Sequence, residues 1–581
     1  MRNSILVLLV MLSGLAGAAT RTWSSAGSTD MNAGANYSGS GALLITDDLV
    51  FDGTSTVNAT ATATVEVNSV TIAAAYSGAW SMSNYTLRIN QAYGKGINHT
   101  STTTTNWGSG LILTGTNDTV YMANTVGAIT SGNCDITWNG GGGCFDVDRG
   151  SQWGSLTLAA NQSLGIQNSG YLIFEETGAV ALALGDNATL TMSGSGTVQY
   201  RRRDDGPLYS LGSACTVNGP SSFYLRSIAT GTDITLPAWT YTGSGSVYIL
   251  PTDSGVETIT LAGAFNIGSN YLYIADGNLA GSYSFDADQY SITCGILVIG
   301  KQNPSSTMSW YLGSGSHTAT EYRGTTYDAA GTGTVYLETS TLAVSGDINL
   351  GINKTYDRGT SQVIAGGTSS CSWTSNGKTL YDVVINKTAN GVTLTDALSV
   401  GGDLTLTDGT FDQAGKNVTV VGDVAINTND AATIDGYWSV GGDFTLGASS
   451  SATVTGSRVK LSKANAVVAL NNKTMPACSS AAGVYFEDGG TIARLVMQNP
   501  RDTIKLEALK KFTFTALDSA DINGKADSLT YWLSSSAGSR DTLDFPSTMY
   551  FSYTAWKDQI SSDTVYVNDG TSDNLGGNLW P

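Results

Sequence analysis

The chain has 581 residues, including 70 glycines and 9 prolines, and its formal net charge is −19. Because 41% of the residues are apolar and only 13% are charged, a disordered protein is excluded, and the length requires several domains or one elongated array. The acidic balance argues against nucleic acid as a partner, since binding a polyanion normally needs a basic face.

The first 18 residues have the pattern of a cleavable secretory signal. Arg2 precedes an apolar stretch from Ile5 to about Leu15, and small residues follow at 16–18. This stretch is too short to span a bilayer comfortably, although an uncleaved anchor remains the alternative. No later stretch approaches the roughly 20 apolar residues of a membrane helix. We therefore expect a secreted, extracellular or cell-surface protein with no transmembrane anchor after cleavage.

Most of the chain after the signal has a strand pattern. Apolar residues alternate with polar ones in runs of three to five, as in Val65 and Val67, and the runs end at Gly, Asn or Asp. The segment Leu506–Phe512 is the one stretch with a helical pattern worth considering. The pattern predicts an all-β protein.

A Gly-Asp step recurs every 20 residues near the middle of the chain. Apolar pairs follow each step, which gives about three short strands in each 20-residue unit, separated by glycine-containing turns. The repeated corner residues are Gly402 and Asp403, Gly422 and Asp423, and Gly442 and Asp443. The inward positions expected in the first unit are Leu398, Val400, Leu404, Leu406, Phe411, Val418 and Val420.

Three strands and three turns in each unit predict one coil of a parallel β-helix, a β-solenoid whose coils share a continuous core. Glycine is expected at the corners because they require positive φ angles and close backbone approach. Residues 61–505 would form the solenoid, 19–60 an N-terminal cap, and 506–581 a C-terminal cap or separate β module. Tandem sandwiches and a propeller are weaker alternatives, because no repeat near 100 residues is present and the strands are very short.

Four stretches resemble a loose class of large secreted bacterial and bacteriophage-associated proteins built from β-strand repeats. They are "TDDLVFDG" at Thr46–Gly53, the segment Ala63–Ile89 that follows it, the repeat at Asp396–Val424, and Leu533–Pro581 with its terminal "GGNLWP". The resemblance implies a parallel β-helix on a cell or particle surface, usually without an established activity. It supplies no catalytic residues.

Six cysteines are too few for a disulfide scaffold in a chain of this length. Cys134 and Cys144 flank a tight "NGGGG" turn and are close enough in sequence to pair. The remaining four are equally well explained as buried thiols: Cys215, Cys294, Cys371 and Cys478.

The sequence contains no recognisable catalytic motif, and we predict no catalytic or cofactor-binding residues. The two histidines, His99 and His317, lack nearby partners for a zinc site and are expected in polar loops. The best ligand-binding candidate is the loop "YRRRDDGPLY" at Tyr200–Tyr209. Its candidate residues are Tyr200, Arg201, Arg202, Arg203, Asp204, Asp205 and Tyr209.

In this loop the carboxylates could act as acid, base or metal ligand, the arginines could bind an acidic sugar, and the tyrosines could stack on sugar rings. The alternative is a solvated loop whose charges pair with each other. Adjacent carboxylates in one extended strand would also point to opposite faces unless a turn intervenes.

Asp403, Asp423 and Asp443 could form an acidic ladder that holds Ca²⁺, which prefers oxygen ligands. One carboxylate per coil is sparse, however, and an aspartate after a corner glycine is already explained by hydrogen bonding to the turn backbone. No cofactor is therefore predicted, and Ca²⁺ is kept as the alternative.

The sequence favours a secreted, non-enzymatic surface protein, a structural or adhesin-like rod that displays loops for binding. The alternative is a β-helix that binds or cleaves polysaccharide, as a lyase, a glycosidase or a phage tailspike would. Surface polysaccharides or other surface proteins are the expected partners, on a cell or on a virion. The oligomeric state is left open.

Overall fold

The computed structural model of the chain consists almost entirely of β-strands. In the part that it describes, the helical segment is a single 3₁₀ turn at Gly34–Asn36. The described residues are 19–83, 85–90, 94–100, 105–106, 110–113, 118–122, 135–138, 143–147, 151–153, 155–168, 171–176, 180–192, 197–219, 222–227, 231, 233–250, 256–275, 281–300, 306–324, 333–427, 432–450, 453–454, 458–499, 501–517, 522–525, 528–563, 565–566 and 572–579.

The chain divides into two compact units. Unit 1 comprises Met1–Asp286, Thr293–Gly295 and Lys301–Met308, and unit 2 comprises Ala287–Ile292, Ile296–Gly300 and Ser309–Pro581. Strands β1 to β31 belong to unit 1, and β34 to β66 belong to unit 2. Strands β32 (Ile292–Ile299) and β33 (Thr307–Tyr311) contain residues of both units.

The strands of unit 1, β1 to β31 in chain order, are Thr20–Thr22, Asp48–Phe51, Ala59–Thr60, Val65–Val67, Ser69–Ile72, Trp80–Ser81, Thr86–Ile89, Gly94–His99, Thr105–Asn106, Gly110–Leu113, Asp118–Met122, Asp135–Trp138, Gly143–Val147, Ser151–Trp153, Leu156–Leu158, Ser163–Asn168, Tyr171–Glu176, Leu182–Leu184, Thr189–Met192, Thr197–Arg202, Gly206–Pro207, Tyr209–Leu211, Thr216–Asn218, Ser222–Ser227, Ile234–Leu236, Trp239–Thr240, Val247–Ile249, Val256–Leu261, Phe265–Asn266, Tyr271–Ile274 and Ser282–Asp286.

The strands of unit 2, β34 to β66 in chain order, are Ser316–Arg323, Gly333–Tyr336, Thr341–Val344, Ile348–Asn349, Lys354–Asp357, Gln362–Gly367, Cys371–Thr374, Thr379–Leu380, Asp382–Leu394, Leu398–Val400, Leu404–Asp412, Val418–Val420, Val424–Ile426, Ala432–Ile434, Trp438–Val440, Phe444–Leu446, Thr453–Val454, Arg458–Leu461, Ala466–Ala469, Thr474–Met475, Ala477–Ser480, Val484–Glu487, Gly490–Ile492, Leu495–Met497, Thr503–Leu506, Lys511–Phe514, Thr530–Ser534, Asp541–Asp544, Met549–Tyr550, Thr554–Lys557, Gln559–Ser561, Val565–Tyr566 and Asp573–Asn574.

Sheet order in both units identifies a parallel β-solenoid. In unit 1 a nine-stranded sheet runs β1-β2-β5-β8-β11-β13-β16-β19-β23, and in unit 2 a seven-stranded sheet runs β41-β43-β45-β48-β51-β54-β57. Neighbours in each sheet are mostly two or three strands apart in the chain, and their pairing is parallel, as in β2 with β5 and β43 with β45. Each strand therefore pairs with its counterpart one coil further on, which confirms the predicted fold class.

The coils are longer than the sequence repeat predicts. The described part of the chain forms about 17 coils with a spacing of about 24 residues, against the predicted 20. The 20-residue spacing holds between Asp403 and Asp443, whereas the corner contact between Asp205 and Asp233 joins residues 28 apart. Longer turn segments outside the regular repeat account for the difference, because turns tolerate insertions that a stacked strand does not.

The core is built from stacked rows of inward side chains. Leu404, Val424 and Phe444 are neighbours in register, and each is at most 1% exposed. All of the inward positions that the sequence predicts in the first repeat unit are buried. Alternation explains this, because successive strand residues point to opposite faces and only one face lies inside the coil. A fully buried aliphatic side chain contributes about 1.5–3 kcal/mol to folding.

Parallel pairing continues through both ranges that the sequence assigns to caps. Strand β1 pairs with β2 and β2 with β5, so pairing does not change near residue 60. Near residue 506, β59 pairs with β56 and with β61. The segment Leu506–Phe512 is not a helix, because it ends one strand, turns, and begins the next. The predicted signal at 1–18 lies outside the described residues.

Three of the four cysteines predicted as buried thiols are buried: Cys294, Cys371 and Cys478. Burial raises the pKa of each thiol, to about 12, 11 and 12 respectively. Cys215 is partly exposed. Cys134 and the side chain of Cys144 lie outside the described residues. Among the described residues, no helix is long and apolar enough to cross a membrane.

Candidate functional site

Arg202 closes the candidate loop from inside. Its guanidinium donates hydrogen bonds of 2.8 Å to the carbonyl oxygens of Asp204, Asp205 and Pro207, and its Nε lies 3.1 Å from Asp204 Oδ1. Gly206 beneath it has a φ of +128°, and a Cβ there would lie 3.0 Å from Arg202 Nη2. Arg202 is only 5% exposed, so it stabilises the loop rather than presenting a charge to solvent.

Arg201 and Arg203 converge on one buried carboxylate, that of Glu175. Arg203 donates to Glu175 Oε1, and Arg201 Nη1 lies 3.4 Å from Glu175 Oε2. Arg201 also donates to Gln199 Oε1 at 2.7 Å. The arginines are ion-paired, as in the alternative that the sequence left open, but Arg201 and Arg203 pair with a buried carboxylate outside the loop rather than within a solvated loop.

The two tyrosines of the loop are core residues. Tyr200 stacks between Phe174 and Phe223, and Tyr209 packs edge-on against Trp239. Both rings are fully buried, and burial raises the pKa of both phenols far above its usual range. This corrects the predicted stacking role, because inward-facing rings cannot contact a sugar on the surface.

The turn at residues 203–205 separates the two carboxylates of the loop. Asp204 pairs with Arg202, whereas Asp205 Oδ1 accepts a hydrogen bond of 2.9 Å from the backbone N–H of Asp233. Asp233 Oδ1 in turn accepts a 2.9 Å bond from the N–H of Thr258. Each carboxylate of the loop therefore contacts a different partner within unit 1.

The repeated aspartates of unit 2 form the same kind of contact, which we call the corner column. Asp382, Asp403 and Asp423 each accept, through Oδ1, a hydrogen bond of 2.7–2.8 Å from the N–H of the next aspartate in the repeat. Asp443 ends the column by accepting a 2.7 Å bond from Val467 N–H and pairing with Lys463 at 2.6 Å. Each carboxylate thus joins one coil to the next.

Close approach, rather than positive φ, explains the corner glycines of the repeat. Gly402, Gly422 and Gly442 are absent from the described residues with positive φ. A Cβ on any of the three would lie 2.1–2.2 Å from the Oδ1 atom of the preceding carboxylate in the column. Glycine is therefore required because the carboxylate occupies the space that a side chain would fill.

The corner column holds one carboxylate per coil, and each carboxylate accepts a hydrogen bond from a backbone N–H. Within the described residues, no group of three or more His, Cys, Asp or Glu side chains is placed to hold a metal ion. Ca²⁺ normally takes six to eight oxygen ligands. The observed hydrogen bonds also differ from the predicted turn bonds, because each carboxylate bonds the backbone of the next coil, 20 or 21 residues away, rather than that of its own turn.

Sequence reasoning missed several members of this contact class. Asp233, Asp347 and Asp382 also accept a backbone N–H of a neighbouring coil, although no glycine directly precedes Asp233 or Asp382 and a single glycine precedes Asp347. All three are followed by two apolar residues separated by one position, in "DITL", "DINL" and "DVVI". An aspartate before such a strand is the signal that could have identified them.

Both histidines are strand residues, which corrects their predicted place in polar loops. His99 ends strand β8 and is buried, and desolvation lowers its pKa to about 4. His317 lies in β34, where Nε2 is 2.8 Å from the carbonyl oxygen of Leu312 and Nδ1 is 3.3 Å from the nitrogen of Ile292. Burial lowers the pKa of His317, and the Leu312 carbonyl opposes this shift. His317 therefore bridges Leu312 and Ile292 through its two ring nitrogens.

Aromatic residues lie on both the inner and the outer face of the solenoid strands. Trp438 is a core residue whose Nε1 donates to Gln413 Oε1 at 2.7 Å. Tyr224, Tyr248 and Tyr273 are partly exposed and stack on successive coils, with ring centroids 4.4 and 4.6 Å apart. Because their faces cover each other, these rings present mainly edges to solvent.

These features define the class of protein: a parallel β-solenoid whose polar corners are tied coil to coil by aspartate. No family model, curated protein or solved structure matches the chain. The resemblance to secreted bacterial and phage-associated repeat proteins is confirmed for the solenoid fold. The location on a cell or particle surface that it implies stays a prediction.

Proposed function

We propose that this chain is a secreted, non-catalytic surface protein whose solenoid displays loops for adhesion or builds a surface layer. The observation that carries the proposal is how its charged side chains are used. The arginines of the 201–203 run pair within their own unit, and the corner carboxylates accept backbone N–H groups. Catalysis requires acids, bases or nucleophiles that can reach a substrate, whereas these groups stabilise coil stacking.

The geometry of the Arg201–Tyr209 loop favours this proposal over cleavage of polysaccharide by a glycosidase at that loop. A glycosidase needs two carboxyl groups that flank the bond to be cleaved. Asp204 is paired with Arg202, and Asp205 is bonded to the backbone of the next coil. Tyr200 and Tyr209, which would have stacked on sugar rings, face the core.

The experiment combines export with a search for turnover. The full chain is expressed in a bacterial host, and a matched chain lacking residues 1–18 serves as the control for export. The full chain should reach the extracellular or surface fraction, and the shortened chain should remain inside. The purified protein should release no reducing ends or unsaturated products from a panel of neutral and acidic polysaccharides.

Two outcomes would contradict the proposal. Retention of the full chain inside the cell would exclude the secreted role. Product release that Asp204→Ala abolishes, with an unchanged melting temperature, would establish catalysis at the loop. An Asp205→Ala variant is the comparison that distinguishes the roles of the two carboxylates. Asp205 contacts the backbone of the next coil.

A further inference from the structure

A groove opens on the surface of unit 2 between strands β38 (Lys354–Asp357) and β41 (Thr379–Leu380). In the described part of the chain, β38 pairs with β35 and β41 pairs with β43, but β38 and β41 do not pair with each other. The groove has a volume of about 660 Å³. Binding sites for small ligands typically measure about 300–1,000 Å³, so this groove can hold several sugar units.

The groove is cationic although the chain as a whole is acidic. Arg358 and Lys378 line it as partly exposed cations, whereas Lys354 is only 2% exposed and its Nζ lies 4.7 Å from the ring centroid of Trp310. Asp357 is the one carboxylate among the lining residues. Asp357 Oδ1 accepts the backbone N–H of Gly359 at 3.2 Å. Two partly exposed cationic side chains at one site stand out in a chain with 28 basic and 47 acidic residues. Such a concentration of one charge favours a ligand of the opposite charge.

Neither Arg358 nor Lys378 forms an ion pair with a described carboxylate. The Arg358 guanidinium lies 5.9 Å from the ring centroid of Tyr381, and a Cβ on Gly401 would overlap its Nη1 atom. Lys378 Nζ donates to the carbonyl oxygen of Ile352 at 3.0 Å. Both cations are thus positioned by neutral groups, which leaves their charge available for a ligand.

Hydroxyl groups and an aromatic ring complete the lining. Thr334, Thr355 and Thr379 line the groove, and so does Tyr336. Tyr336 is held by stacking on Tyr311, with centroids 4.5 Å apart and planes 5° apart. Hydroxyls, a fixed aromatic ring and planar guanidinium together suit a sugar that also carries a carboxylate.

We propose that this groove binds an acidic polysaccharide, with Arg358 and Lys378 contacting carboxylates of its uronic acid units. An acidic peptide is less well served, because the lining offers hydroxyls and charges rather than pockets for apolar side chains. The inference does not depend on the surface role proposed above, since the groove and its charges are present whether or not the chain is exported.

Isothermal titration of the full chain with an oligogalacturonate tests the proposal. A neutral galactan oligomer and an oligoglutamate of equal charge are the comparison probes, all at low salt. We expect the oligogalacturonate to bind at least about tenfold more tightly than either probe, because only it offers both carboxylates and sugar hydroxyls. Added salt should weaken this binding.

Two variants locate the site. Arg358→Ala and Lys378→Gln should each weaken oligogalacturonate binding about tenfold, since each removes a charge-assisted contact. Lys460→Ala is the matched control, because Lys460 is a partly exposed cation on strand β51, which does not line the groove. Its affinity should equal that of the parent chain. Lys378→Gln is included because Arg358→Ala could also disturb packing around Tyr381. Melting temperatures check that the variants fold.

Three results would overturn the proposal. The first is no binding of the oligogalacturonate. The second is equal binding of oligoglutamate, which would show recognition of charge or peptide rather than of an acidic sugar. The third is parent-like affinity in both folded groove variants, which would place the binding site elsewhere on the chain.

Discussion

Asp403, Asp423 and Asp443 each place one carboxylate oxygen 2.7–2.8 Å from a backbone nitrogen of the following coil. The same contact recurs at Asp205 and Asp233 in unit 1. Hydrogen bonds that involve a charged group contribute about 1.5–3 kcal/mol, roughly twice a neutral bond. Aspartate is thus used at these corners as an acceptor for main-chain N–H groups that a short strand cannot satisfy by itself.

Asp541 differs from these carboxylates because it is completely buried. Gln559 Nε2 donates to its Oδ1 at 3.1 Å, and desolvation raises its pKa from the usual 3.8 to about 7. The folded state therefore favours the neutral carboxyl. Above pH 4 the unfolded chain loses this proton more readily, so the stability of the folded state falls as the pH rises from about 4 to about 7.

Asp541→Asn should remove this penalty. We expect the free energy of unfolding of the variant to exceed that of the parent chain by up to about 4 kcal/mol as the pH rises from 4 to 8. The difference in melting temperature between the two chains at each pH follows this gain. Asp544→Asn is the control. Its carboxylate lies 2.8 Å from Lys511, and that contact lowers the pKa of Asp544, so this variant should gain nothing at neutral pH. A difference that does not vary with pH would contradict the assignment.

At the scale of elements, each coil is held by rows of equivalent residues. The inward rows are apolar, as in Leu404, Val424 and Phe444, and the corner column is polar. Gly422 N–H also donates to the carbonyl oxygen of Gly402 at 2.9 Å, and Gly442 repeats the contact with Gly422. The corner is therefore a close backbone contact with a carboxylate beside it, which limits the residue types that fit.

Gly422→Ala tests this packing. Its Cβ would lie 2.2 Å from Asp403 Oδ1 and 2.6 Å from the carbonyl oxygen of Gly402, so the two coils must separate locally. We expect a loss of about 1–3 kcal/mol, measured from the urea unfolding midpoint. Gly27→Ala is the control, because nothing lies within 4 Å of its added Cβ. Equal effects of the two substitutions would show that corner crowding is unimportant.

At the scale of the whole molecule, the charge of −19 opposes folding through self-repulsion. The carboxylates of the corner column add to it, since successive coils are only about 4.8 Å apart. Salt at 0.1 M screens charges beyond about 10 Å. Raising NaCl from 10 to 150 mM should therefore increase the melting temperature by a few degrees in scanning calorimetry.

The matched comparison for this salt effect is the double variant Asp403→Asn and Asp423→Asn. Asparagine keeps an oxygen acceptor for the backbone N–H but removes two charges of the corner column. The rise in melting temperature with salt should be smaller in this variant. A melting temperature that falls with salt would mean instead that ion pairs such as Arg203 with Glu175 dominate the electrostatic balance.

The sequence by itself determined the strands and the side chains that face inward. Leu404 and Leu406 could be assigned from alternation, because that pattern depends only on near neighbours along one strand. The Gly-Asp step likewise identified the corner column between Asp403 and Asp443. Outside this stretch the 20-residue spacing does not predict the position of the coils, because insertions in the turns lengthen them and remove the repeat.

Only the tertiary structure decided what the polar residues contact. Arg203 meets Glu175, 28 residues away, and Arg358 lies beside Tyr381 and Gly401 on later segments of the chain. Such partners depend on the length of each intervening coil, which no local pattern encodes. The groove between β38 and β41 has the same origin, because it forms where two strands of neighbouring sheets fail to pair.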